Sequence, residues 1–223
     1  MRYFVTGTDT DCGKTFVSSA LLHAAQARGS TLGLKPIASG CEVTPEGLRN
    51  TDALSLIAQS SVKLDYSQVN PFSFEPAIAP HIAAKHLGIG LSVDAICQHL
   101  EALPLSSADL MLVEGAGGWR LPLGGGEFLS QAVKQLSMPV ILVVGVKLGC
   151  LNHAVLTQEA ILADGLTLAG WVANVTDPNM AYLQENLTTL TELMTSPCLG
   201  VVPYLPSRNV ATAAGYCDID ALS

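Results

Sequence analysis

Charge is scarce in this chain, and positive charge is scarcer. Of 223 residues only 13% are charged, with 11 lysines and arginines against 19 aspartates and glutamates, for a net charge of −8. That balance opposes non-specific attachment to nucleic acid or to an anionic membrane surface, so any phosphate the protein binds must be held by a local device. Long apolar runs are also missing. The longest strongly apolar stretch without a charge, Gln135 to Val146, falls well short of the roughly 20 residues a membrane-spanning helix needs. The N-terminus has no basic segment followed by an apolar core and a small-residue cleavage site, because Asp9, Asp11 and Lys14 interrupt it; a cytoplasmic protein is expected. The six cysteines (Cys12, Cys41, Cys97, Cys150, Cys198, Cys217) form no CxxC pair and no short Cys/His spacing. Neither a zinc site nor a disulfide framework is indicated, and they read as small buried hydrophobes.

What the chain does have is aliphatic content. Hydrophobic residues make up 49% of it, too many for disorder, and a fold of this length buries roughly 70% of the surface its unfolded chain exposes. Continuous apolar runs at Tyr3 to Thr6, Thr31 to Pro36, Leu110 to Glu114, Val140 to Val146, Leu168 to Ala173 and Leu199 to Val202 suit strands buried on both faces of a parallel sheet. Helical periodicity separates them, notably at Lys14 to Arg28 and Asn152 to Ala163. The expectation is a single domain over residues 1–223: a doubly wound, mostly parallel α/β sheet with helices on both faces, of P-loop NTPase type. Residues 43–90, punctuated by Pro45, Pro71, Pro76 and Pro80, read as an excursion of irregular loops with a helix near Asp52 to Gln59.

The segment from Val5 to Thr15, VTGTDTDCGKT, stands where the first strand meets the first helix. Such a loop turns successive backbone N–H groups inward at a helix N-terminus, which holds polyphosphate without a basic surface. Lys14 is placed to reach the β- and γ-phosphates and Thr15 to ligate Mg²⁺. Five residues separate Gly7 from Gly13 rather than the usual four, so the loop is a variant. Glu114 ends a buried strand ahead of Gly115, Ala116, Gly117 and Gly118, at the carboxyl edge where open α/β sheets bind ligands. It could hold Mg²⁺ or cap the next helix. Asp52 opens a helix and reads equally as a metal ligand or an ordinary N-terminal carboxylate. Lys35, read as the end of an inner strand, is costly to bury unless it faces an anion; a transferring phosphoryl group with Ser39 nearby competes with a solvent-exposed edge position.

Taken together, these residues resemble the dethiobiotin synthetase family. The similarity is carried by YFVTGTDT with Gly13-Lys14-Thr15, by Lys35-Pro36 with Ala38-Ser39-Gly40, by Gly47 to Asn50 with Asp52 to Leu54, and by VEGAGGW from Val113 to Trp119. It continues through LVVGVKLGC from Leu142 to Cys150 and GWVAN from Gly170 to Asn174, and weakens after Pro206. The resemblance implies an ATP-dependent cyclo-ligase of biotin biosynthesis, joining CO₂ to 7,8-diaminopelargonic acid through a carbamate and a carbamic-phosphoric anhydride. Thr15, Asp52 and Glu114 would be the Mg²⁺ ligands, Lys35 and Lys14 the catalytic residues, and Thr10 and Ser39 contacts to the carbamate or diamine. Asp11, Cys12, Gly13, Phe16, Gly115, Ala116 and Gly117 would line the nucleotide, with Asn174, Pro203, Tyr204 and Leu205 around the base. Leu148, Cys150 and Asn152 would hold the substrate carboxylate across a homodimer interface. His81 fits a proline-histidine feature of the family, and a lone histidine is more often structural.

Two other classes compete. A partition or positioning ATPase switch often carries a second lysine early in the loop and a basic amphipathic tail, whereas Thr8 to Cys12 contains no lysine and the C-terminus, with Asp218 and Asp220, is acidic. An amidotransferase-linked synthetase needs a glutaminase domain for which the chain has no room. Asn174-Val175-Thr176-Asp177 resembles a guanine-reading pattern but lacks its lysine, which favours ATP.

Overall fold

The computed structural model describes residues 1–103 and 108–222. Strand β1 (Arg2–Gly7) leads through a loop into helix α1 (Lys14–Ala25), and β2 (Thr31–Leu34) follows. Then come β3 (Ile37–Ser39), the pair β4 (Glu42–Thr44) and β5 (Gly47–Arg49), α2 (Thr51–Gln59), α3 (Tyr66–Val69), β6 (Phe72–Phe74), α4 (Pro80–Leu87) and α5 (Val93–Ala102). Strand β7 (Leu110–Glu114) returns to the centre, followed by β8 (Pro122–Gly124), β9 (Glu127–Phe128) and α6 (Leu129–Gln135). The last third alternates: β10 (Val140–Val146), α7 (Cys150–Ala163), β11 (Leu168–Val175), α8 (Leu183–Leu193), β12 (Cys198–Val202) and α9 (Val210–Ala214).

Six strands form one sheet in the order β12-β11-β10-β1-β7-β2, and every pairing in it is parallel. Side chains alternate between faces along each strand, and this divides the core in two. Phe4, Met111, Val113, Leu142, Val144, Trp171 and Ala173 point to one face, covered by α4 to α8. Tyr3, Val5, Leu112, Ile141, Val143 and Val172 point to the other, covered by α1, α2 and α9. Because all strands run the same way, their carboxyl ends share one edge. The chain leaves β1 toward β2 and β7, then crosses to β10 on its other side, so the ligand-binding switch point of such sheets falls at the end of β1.

The architecture is the expected one, with local corrections. The second strand stops at Leu34, not Pro36, since proline has no N–H to continue the ladder. It is also the edge strand of the sheet; Lys35 is nevertheless buried, its backbone bonded to the end of α3 and its ammonium turned in to Glu114 and Asp52. The first helix ends at Ala25 rather than Arg28, and α7 starts at Cys150 rather than Asn152, with Gly149 at its N-cap at φ 93°. The 43–90 excursion is more regular than expected. It contains the β4–β5 hairpin, α2, α3, β6 and α4. Pro80 supplies a favourable first position for α4 and Gly88, at φ 66°, its left-handed stop.

Candidate active site

The loop after β1 is held by close approaches that only particular side chains permit. A Cβ on Gly7 would lie 2.2 Å from the Cys12 sulfur, and one on Gly13 would lie 2.2 Å from Asn174 Nδ2. Gly13 also sits at φ +86°, a region costly for residues with a Cβ. Thr8 ties the loop to β10: its N–H donates to Val143 O (3.0 Å) and its hydroxyl accepts from Gly145 N (3.3 Å). Asp9 is ion-paired with Lys147 at 2.6 Å, and that hydrogen bond and charge hold the Lys147 pKa above its ordinary value. Lys14 is buried, with Nζ donating to the carbonyls of Asp9 (2.9 Å) and Thr10 (3.4 Å). Its charge is thereby kept at the mouth of the loop.

Across the edge, three elements bring a lysine and two carboxylates together. Glu114, at the end of β7, is fully buried. Its Oε1 accepts from Lys35 Nζ (2.6 Å) and from the Thr15 hydroxyl (2.6 Å). Lys35 also donates to Gly115 O (3.1 Å) and lies 3.1 Å from Asp52 Oδ2. Burial opposes the charge on Lys35, but Glu114 and Asp52 outweigh it and hold its pKa above the usual lysine range. Burial likewise opposes ionisation of Asp52, and Lys35, with help from Thr15 and Lys14, holds its pKa below the usual carboxylate range. Asp52 is placed by the start of α2, where the Asn50 side chain accepts from the N–H groups of Asp52 (3.1 Å) and Ala53 (3.2 Å) as an N-cap.

The donor set suits Mg²⁺. Glu114 Oε2 is buried and has no hydrogen-bond partner among the described residues, and the Thr15 hydroxyl and Asp52 carboxylate add hard oxygen donors. No group of three or more His, Cys, Asp or Glu is placed to hold an ion among the described residues. Mg²⁺ takes one or two carboxylates and completes its shell with phosphate oxygens and water, so a site of two carboxylates and a hydroxyl has the donors it would need.

A cleft of about 640 Å³ opens over these groups. Thr10, Asp11, Gly13, Lys14, Thr15 and Phe16 of the loop and helix α1 line it, together with Lys35, Ser39, Asp52, Ala116 and Gly117. The Ser39 hydroxyl is buried without a partner among the described residues, which leaves it free for a ligand. Other anticipated residues lie elsewhere. Cys12 is buried beneath the loop. Asn174 is buried with Nδ2 donating to Cys12 O (2.9 Å), so it braces the phosphate loop. Pro203, Tyr204 and Leu205 do not line this cleft, and neither does His81. Leu148 is 95% exposed and Asn152 is also exposed, just ahead of and within α7. Cys150 is buried and its N–H already donates to Lys147 O (3.0 Å), which leaves the amides after it for an anion. Among the described residues no helix is long and apolar enough to cross a membrane.

Three contributors carry little signal in the sequence. Arg208 lines the cleft in a left-handed conformation (φ 45°), within the segment where the family resemblance fades. Ala77 to Pro80 form the cleft's lip. Asn50 also lines it, and in the sequence it stands only within the Gly47 to Asn50 stretch of the family resemblance.

Comparison with known proteins gives consistent results. The AAA domain family matches residues 1–211. The chain is 55% identical over 221 residues to an ATP-dependent dethiobiotin synthetase of Pseudomonas aeruginosa, covering 99% of this chain and 97% of that one. It is 53% identical to one of Cellvibrio japonicus, covering 99% and 96%. In solved structures, the MinC:MinD cell division complex of Aquifex aeolicus aligns with a TM-score of 0.57 at 14% identity, over 95% of this chain and 86% of that one. A ParA family ATPase of Chlorobium tepidum aligns with a TM-score of 0.56 at 13% identity, over 96% and 90%. At such identities the structural likeness speaks for the fold alone.

Proposed function

The chain belongs to the dethiobiotin synthetase family, and from that premise we propose how its cleft performs the ATP-dependent ligase reaction of biotin biosynthesis. The observation that carries the reading is the buried Lys35 ammonium, fixed between Glu114 and Asp52 across the cleft from the phosphate loop. The partition or positioning switch rests on fold likeness alone.

ATP seats its phosphates on the backbone amides between Thr10 and Thr15, with Lys14 leaving the loop carbonyls to meet the β- and γ-phosphates. Thr15, Asp52 and Glu114 would hold Mg²⁺, which supplies charge neutralisation on the phosphate oxygens. The substrates are 7,8-diaminopelargonic acid and CO₂ or bicarbonate. One amine attacks CO₂ and loses a proton, giving a carbamate that Thr10 and Ser39 hold. A carbamate oxygen attacks the γ-phosphorus and ADP leaves, with Lys35 stabilising the charge on the transferring group. The neighbouring amine then attacks the carbonyl carbon, the C–O bond to phosphate breaks, and phosphate departs as the amine gives up its proton. Holding the two amines adjacent accelerates this closure by proximity. No acid/base dyad is needed.

The chain works as one P-loop domain within a homodimer in the cytoplasm. Support for the dimer comes from the exposed apolar side chains Leu148, Leu156 and Leu162 on and before α7, where the partner would hold the substrate carboxylate near Leu148, Cys150 and Asn152. The net charge of −8 disfavours nucleic acid and anionic membrane as partners. Phosphate release should require ATP, Mg²⁺, bicarbonate and the diamine together; ATP turnover unchanged by omission of the diamine would overturn the reading.

A further inference from the structure

Lys35 and Asp52 come from different elements, yet their backbones converge on a single hydroxyl. Tyr66, the first residue of α3, accepts from Asn50 N–H at 2.7 Å and donates to Asn70 Oδ1 at 2.9 Å. Each of those asparagines passes the connection on. Asn70 Nδ2 donates to Lys35 O at 2.6 Å, while the Lys35 N–H donates to Val69 O at 3.0 Å, so the lysine backbone is gripped on both sides by the end of α3. Asn50 caps α2 at Asp52 and Ala53, and its Nδ2 donates to Ser39 O at 3.4 Å. Asn50 and Asn70 are both buried, and the Tyr66 ring is itself fixed under the Arg49 guanidinium, 4.2 Å from its centroid.

We propose that Tyr66 is a positioning residue for the ligase reaction, its hydroxyl setting Lys35 against Asp52 and Ser39 across the cleft. Without that oxygen the Asn50 N–H and Asn70 Oδ1 both lose their partner, and the Lys35–Asp52 ion pair loses the relay that ties the backbones of its two ends together. The phosphate loop meets this network at Thr15, whose hydroxyl shares Glu114 Oε1 with Lys35; its backbone amides and Lys14 are placed by β1, α1 and the Thr8 bonds to β10. Loss of the hydroxyl should therefore loosen the reacting groups while leaving the nucleotide seat intact, a division that general destabilisation does not produce.

This inference rests on the reading above, and wild-type turnover in the same assay separates a failure of that reading from a failure of this one. The test is Tyr66→Phe, which keeps the ring and its stacking, assayed below its melting temperature for kcat, for the KM of ATP and of the diamine, and for ADP affinity by calorimetry in chelator. We expect kcat to fall about tenfold or more, the scale on which small misplacements of a reacting group act, with ADP affinity within about twofold of wild type. On a Lys35→Gln background the same change should cost far less, because residues that act as a unit are not additive. An unchanged kcat in folded Tyr66→Phe, a parallel loss of ADP affinity, or an undiminished loss on the Lys35→Gln background would each overturn the proposal. If Tyr66→Phe does not fold, Asn70→Ser carries the same comparison, since it breaks the link to Lys35 while sparing the Tyr66 contact to Asn50.

Discussion

Lys35 is the cation of a buried cluster, and removing it should damage the fold as well as the chemistry. In Lys35→Met the fully buried Glu114 carboxylate keeps the Thr15 hydroxyl at 2.6 Å but loses the ammonium at 2.6 Å. Stripping the partner from a buried charge costs about 3–5 kcal/mol, because the remaining ion is left desolvated and uncompensated. For a chain of this length each kcal/mol corresponds to about 2–4 °C, so the melting temperature should drop by roughly 6–20 °C. A second variant identifies the cause. The double variant Lys35→Met/Glu114→Gln should regain much of the loss, since replacing both partners by uncharged groups is far milder than breaking the pair. The assay is thermal and urea unfolding followed by circular dichroism, without nucleotide and with chelator so that no bound cation replaces the ammonium. A loss below about 1 kcal/mol, or a double variant whose loss is the sum of the singles, would refute the charge-pair account.

The other expectations concern the cap of α2, the loop and the proposed interface. Because the Asp52 pKa is held low, its ionised form stabilises the fold above the ordinary carboxylate value of about 3.9, and that contribution disappears as the pH falls through the depressed value. With its side chain 42% exposed, the effect is screened to about 1 kcal/mol or less: wild type should melt a few degrees above Asp52→Asn near neutrality, and a gap that persists in strong acid would contradict the cause given. Gly13→Ala forces a Cβ to within 2.2 Å of Asn174 Nδ2 at a positive φ; about 1–2 kcal/mol of backbone strain adds to that clash, so calorimetry should show ADP affinity falling about tenfold or more, and wild-type affinity would remove the steric argument. Leu148→Asp should shift sedimentation toward monomer and raise the KM for the diamine without raising that for ATP; a dimer with unaltered diamine KM would exclude this segment from the interface.

The sheet was legible because its strands are buried on both faces. Runs such as Val140 to Val146 then contain nothing polar to blur the pattern, and this strand matches the sequence-based boundaries. Where burial is one-sided or brief, the reading slipped. The excursion read as loops because strands such as β3, β4 and β5 are three residues each, too short for a period to show. Lys14, Thr15, Lys35, Asp52 and Glu114 could be singled out because chemistry restricts which residues stand at strand ends and helix starts. Their mutual arrangement could not: that Lys35 bridges Glu114 and Asp52 depends on β2 and β7 being neighbours and on where Asn50 starts α2. Arg208 reaches the cleft only through the turn after β12. Asn174 illustrates the opposite case, a polar residue whose pattern suggested base recognition and whose amide also braces the loop backbone at Cys12.

The cleft is proposed to couple ATP cleavage to closure of a ring around one carbon from CO₂. Purified protein supplied with ATP, Mg²⁺, 7,8-diaminopelargonic acid and isotopically labelled bicarbonate should yield dethiobiotin carrying the label, detected by mass spectrometry in amounts equal to the ADP released. ADP formed without labelled dethiobiotin, or at the same rate when the diamine is withheld, would contradict the account.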